Sequence, residues 1–299
     1  MNLAVDVPGL LNGLIPLALD PSASSAPFTH DRVLAALAMA AAVAGCYAAL
    51  ELGVRAQARR GAAGIVWLAG AGVMLGAGVS AMHLIALVAL ETPLMRGFAF
   101  APTMASCVIA LLFGASGFVL GGRQWRSWRY VVAGLWFGFG SILMHYVGMR
   151  GLVIDADLSY RPLFVAGTGL GAFICSTLGL WLCTSPPPGW VRFGVAFPMG
   201  AAVASLHFFD IAGTVLAPRP TFAPPPELNM DIGYLIALAA GLAALVAVLL
   251  AWGDARGGLA FPVRARRDSR SVAAHSASSD PEEGVVVIPD PPGGARGRG

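Results

Sequence analysis

Long apolar stretches alternate with short polar punctuation along this chain, and the length of the stretches decides what they form. A bilayer core about 30 Å thick needs roughly 20 apolar residues in helix, at about 1.5 Å rise per residue. Seven stretches reach that length: residues 33–54, 64–90, 99–121, 129–152, 162–183, 190–216 and 232–252. The connections between them are rich in Gly, Pro and charge, the residues that end helices. The pattern predicts an all-α, integral membrane seven-helix bundle over residues 33–252. Residues 1–32 read as an N-terminal extramembrane segment, because their apolar run is broken by Gly13 and Pro16 and no basic region precedes it. Residues 253–299 are polar, rich in Ser, Pro and Gly, and without helical period; they read as a disordered cytoplasmic tail.

A longer period overlies the hydropathy. His83, His145 and His207 are spaced by 62 residues, twice, and in register their segments read GAGVSAMHLIAL, GFGSILMHYVGM and GAAVASLHFFDI. Gly76, Gly138 and Gly200 align, as do Gly72 with Gly134, and Met82 and Met144 with Leu206. That spacing is the length of two membrane helices and two loops, so each repeat is a helical hairpin whose second helix carries the histidine. The bundle is thus three two-helix repeats plus a final helix. Glycines seven and eleven residues before a histidine fall within about 20° of its face. Small residues on one face let membrane helices approach closely. The three histidine helices are therefore expected to pack on one another, with imidazoles converging about 10–14 Å below the helix ends.

Composition agrees with a chain solvated by lipid: 57% apolar, 12% charged, mean hydropathy +0.73, against about a quarter charged in soluble domains. Basic clusters fall in the first connection (Arg55, Arg59, Arg60), the third (Arg123, Arg126, Arg129) and after the last stretch (Arg256, Arg264, Arg266, Arg267, Arg270). The positive-inside rule then places the N-terminus outside and the C-terminus inside the membrane. All 19 basic residues are Arg. The absence of Lys rules out a retinal Schiff base, which needs a lysine amine. No basic stripe with interleaved aromatics suggests nucleic acid. Cys46, Cys107, Cys175 and Cys183 sit in apolar stretches without paired spacing and read as packing residues. His30 and His275 lie outside the repeats and read as solvated. No nucleophile or acid–base pair has a motif around it, so an enzyme is the weakest class.

Ionisable residues inside membrane helices are costly, and three at equal spacing point to a shared site. One turn on, Met149 shares the face of His145 and Asp210 that of His207, whereas His83 is followed by Ala86 and Leu87. Met82 and Met144, one residue before their histidines, are turned about 100° towards a neighbouring helix. Imidazole with thioether suits copper, above all Cu(I); imidazole alone also accepts zinc. Asp210 is a ligand, an orienting partner for an imidazole, or an interfacial acid. The candidate metal set is His83, His145, His207, Met82, Met144, Met149 and Asp210.

MHYVGM at 144–149, with a histidine-centred hexapeptide one hairpin before and after it, resembles the MHYT domain family of bacterial seven-helix membrane sensors. The resemblance covers roughly residues 33–252. Its second copy matches at Met144, His145, Tyr146, Gly148 and Met149. The first has Leu84 for the aromatic, and the third has Leu206 for Met and Asp210 for Gly. The resemblance implies metal binding through the motif residues, with copper as the metal, and sensing of oxygen, carbon monoxide or nitric oxide. Many members are fused to cyclic-di-nucleotide enzymes or a kinase. Here only the tail follows, so the output is expected to pass through the membrane domain or a separate signalling protein. The alternative is a metal or proton transporter, which should carry acids near the bilayer centre. Besides Asp210, only Glu51 lies well inside a span, near a helix end, and that favours the sensor.

Overall fold

The computed structural model describes residues 13–20, 25–122, 127–185, 187 and 191–219. Six helices there are long and apolar enough to cross a membrane. They are α1 (Arg32–Gln57), α2 (Ala62–Ala89), α3 (Phe100–Gly121), α4 (Ser127–Met149), α5 (Pro162–Thr184) and α6 (Val191–Ala212). The seventh helix expected at 232–252, the tail 253–299 and His275 lie outside the described residues.

Local chemistry sets several of the helix ends. Asp31 caps α1 by accepting from the Leu34 backbone N–H at 2.8 Å, and Pro162 opens α5, where its missing N–H costs nothing. α3 stops at Gly122, whose φ of +66° continues no helix.

Consecutive helices pack side by side, and α6 returns to α1, so the six form a closed ring. The α1–α2 crossing is backbone to backbone: a Cβ on Gly45 would lie 2.6 Å from the Gly78 Cα. At the α6–α1 seam, Arg192 Nε donates to Glu51 Oε1 at 2.6 Å, a pair held mostly out of solvent.

The repeat glycines act differently from the expectation. A Cβ at Gly76 would collide with Ala110 of α3, one at Gly138 with Phe173 of α5, and one at Gly200 with Val43 of α1. Each glycine therefore seats a histidine helix against an odd-numbered neighbour, and the histidine helices meet mainly through side chains. Alignment on a helix face fixes a direction, and does not say which neighbour lies there.

Three antiparallel ladders cap the histidine end of the ring. β1 (Thr29–His30) pairs with β2 (Leu90–Glu91), β3 (Arg96–Phe98) with β4 (Leu152–Ile154), and β5 (Ala156–Tyr160) with β6 (Thr214–Pro218). Each ladder joins the strand before an odd helix to the strand after the following even helix, so every hairpin is tied shut at its own open end. α4 and α6, expected to reach 152 and 216, end at Met149 and Ala212. Gly151 and Gly213 follow them, and then the β-branched Val153, Ile154, Thr214 and Val215 extend the chain. Hydropathy alone reads such apolar strands as more helix.

The chain's start lies along this cap. Tyr160 N–H donates to the Pro16 carbonyl and Ala18 N–H to the Tyr160 carbonyl, both at 2.8 Å, while Leu14 and Ile15 pack on the core. His30 is half-buried rather than solvated, edge-on to Phe208 with centroids 5.1 Å apart. Burial lowers its pKa, and the nearby Glu91 opposes that shift.

Candidate metal centre

α2, α4 and α6 each deliver one histidine to the ring's interior, four to six residues before the helix end, roughly 6–9 Å in. The depth is smaller than expected because the helices give way to strands. His83, His145 and His207 are all buried. Their rings stand nearly at right angles, with centroids 5.0 to 5.2 Å apart. The Nδ1 atom of His207 lies 3.3 Å from Nδ1 of His83 and 3.3 Å from Nδ1 of His145. One nitrogen from each ring falls within 4.8 Å of the others.

This spacing fits a metal ion. Two donors about 2.0 Å from one ion at a tetrahedral angle lie about 3.3 Å apart, which is the spacing of two of the three Nδ1 pairs. Two nitrogen lone pairs facing each other repel, so each Nδ1 contact is attractive only with a proton or a cation between the atoms.

Asp210 decides which nitrogen of His145 faces inward. Expected to orient His207 on its own helix, it reaches instead across to α4. His145 Nε2 donates to its Oδ2 and Tyr146 Oη to its Oδ1, each at 2.8 Å. With the Nε2 proton engaged by the carboxylate, the Nδ1 lone pair of His145 is directed at the centre; this tautomer follows from the pairing. Both carboxylate oxygens are thereby occupied.

The position three residues after two of the histidines thus faces a neighbouring ring. Asp210 meets His145 Nε2, and Gly148 lies so close to His83 Nε2 that any Cβ there would collide with it. His83 Nε2 is buried without a hydrogen-bond partner. Sequence reasoning missed this cross-helix role; the Gly148–Asp210 difference between copies was its only trace.

The candidate methionines divide. Met82 and Met144 are buried and, with the three histidines, line a cavity of about 370 Å³. Met149 is buried in the surrounding core and is not among the described residues lining that cavity.

Residues 76–134 and 138–196 match the MHYT family, described as a bacterial signalling protein N-terminal repeat. The chain carries MHYT repeats. Each matched MHYT copy begins at an aligned glycine, Gly76 or Gly138, and runs through an odd helix into the next histidine helix. The histidine copy starting at Gly200 lies beyond both matched ranges. The chain is 28% identical over 220 residues to the bifunctional diguanylate cyclase/cyclic di-GMP phosphodiesterase MucR of Pseudomonas aeruginosa, covering 70% of this chain. It is 28% identical over 264 residues, 87% of its length, to an uncharacterised signalling protein of Caulobacter vibrioides. The alignments span 31% of each of these relatives, so the chain matches about a third of their length. No solved structure matches it.

Proposed function

We propose that this MHYT protein is a membrane-embedded sensor whose triad His83, His145 and His207 holds a copper ion. The observation that carries the reading is the pair of 3.3 Å Nδ1 contacts converging from three helices. Three neutral imidazoles with thioethers near by suit copper best, and zinc next. Copper supplies a one-electron couple and, with three protein donors, a position open to a small ligand such as a diatomic gas. Asp210 holds His145 in the ligating tautomer, and Tyr146 holds Asp210. The strand cap and the 13–20 segment keep bulk water from the imidazoles. A change at the centre pulls on three helices at once, and these carry it to a separate signalling partner. The arginine distribution puts the capped end outside the cell.

Pairing with Arg192 weighs against the transporter alternative, because Glu51 is then no free proton or metal carrier. The test is metal analysis of the chain purified in mild detergent, beside a H83A/H145A/H207A variant. About one copper per chain in the wild type and none in the variant is expected. Equal metal in both would reject the site.

A further inference from the structure

The cavity beneath the triad is far larger than a metal site or a diatomic ligand requires. Its volume of about 370 Å³ equals roughly a dozen waters at about 30 Å³ each. It lies at the lower edge of the range for organic-ligand pockets, about 300–1,000 Å³. Along α6 its lining runs from Gly194 to His207, roughly 20 Å at about 1.5 Å per residue. The two ends differ in chemistry. At one end stand the three imidazoles. At the other, the lining residues Leu178, Gly194 and Pro198 are exposed on lipid-facing α5 and α6, so the cavity opens towards the bilayer.

The lining narrows the class of occupant. Among the described residues no charged side chain lines it. A carboxylate or phosphate head would therefore be buried without a counter-ion, a cost of several kcal/mol. The occupant is neutral. Met82 and Met144 wall the cavity beside the imidazoles, and Phe137 and Met199, each eight residues before a histidine, wall it about 12 Å further down. Thioethers and a phenyl ring favour a flat unsaturated group over a saturated chain. With the His145 N–H held by Asp210, the neutral rings of His83 and His207 remain to present an N–H donor to a carbonyl.

We propose that this cavity binds a quinone-type amphiphile from the bilayer, its planar carbonyl head at the imidazoles and its alkyl or isoprenoid tail running towards Leu178 and Pro198. The site goes beyond the copper reading and does not depend on it, since imidazole N–H groups suffice to hold a carbonyl.

The experiment titrates decyl-benzoquinone by calorimetry into the full chain in lipid nanodiscs, with decanol and decanoate as separate arms and metal content measured on the same samples. The wild type should bind the quinone at least about tenfold more tightly than either saturated amphiphile. Ala202→Phe and Val203→Phe fill the cavity from α6 and should each weaken quinone binding by about tenfold or more. Ile174→Phe, on the exposed lipid face of α5, should leave it unchanged. Decanol or decanoate matching the quinone would overturn the proposal, because that is partition of any alkyl chain. So would unchanged quinone binding in both filled variants. The alkyl arms need only the wild type, so a variant that fails to fold leaves the comparison intact. Quinone binding without metal sinks only the copper reading, and metal without quinone binding sinks only this one.

Discussion

Asp210 is a fully buried acid in an apolar bundle, which costs several kcal/mol unless its oxygens are paired. Tyr146 and His145 supply that pairing, and the same bonds aim Nδ1 of His145 inward. Asp210→Asn should therefore lower copper affinity about 10–100-fold, as loss of an orienting partner typically does, with helix content by circular dichroism unchanged. Tyr146→Phe should cost less, because one bond to the carboxylate remains. Met149→Leu should titrate like the wild type, since Met149 lies off the cavity wall, whereas His145→Ala should abolish binding; weakened copper binding in Met149→Leu would restore that thioether as a ligand. Imidazoles ligate as neutral rings and lose the metal when protonated, so copper binding should weaken at acid pH. A copper titration repeated over a series of pH values checks this.

Between helices, glycine placement separates site from scaffold. Gly148→Ala puts a methyl group into the space of His83 Nε2, so it should lose copper while the bundle stays folded. Gly45→Ala wedges two backbones apart at the α1–α2 crossing, and should cost about 1–3 kcal/mol in detergent unfolding as overpacking does. Gly194→Ala meets nothing within 4 Å and serves as the neutral comparison. These contrasts also mark how far the sequence could be read. Helix existence and the 62-residue register were legible because hydropathy and the histidine spacing are properties of one segment. The strands were not: Leu152–Ile154 and Thr214–Pro218 are nearly as apolar as the helices before them, and no local signal distinguishes the two. Asp210 was visible as the partner of an imidazole, yet its helix face pointed to His207. The choice of His145 depends on how α4 and α6 lie in the ring, which no single segment encodes.

For the molecule as a whole, the ladders and the arginines together predict a topology that labelling can read. Met95→Cys, exposed in the connection between α2 and α3, should react with a membrane-impermeant maleimide in intact cells. Arg60→Cys, between α1 and α2, should react only after permeabilisation. The opposite pattern would turn the histidine end to the cytoplasm. Among the native cysteines, Cys46, Cys107 and Cys183 are buried and Cys175 is half-buried in a span, so the background should be low.

The return of α6 to α1 also has a consequence for biogenesis. Each hairpin can fold as it leaves the translocon, since its own ladder ties it shut. The triad cannot form then, because its three imidazoles belong to three hairpins and the last must dock on the first. A chain stopped after Met149 holds two of the three histidines and an open flank, and should retain no copper. Under the proposed copper reading, ion loading would then act as a checkpoint on completed insertion. Once bound, an ion at a thousandfold excess over its dissociation constant adds about 4 kcal/mol to the closed form. Metal starvation would then be felt first at the seam where Gly200 meets Val43 and Arg192 meets Glu51, loosening the join between newest and oldest hairpins while each hairpin stays intact.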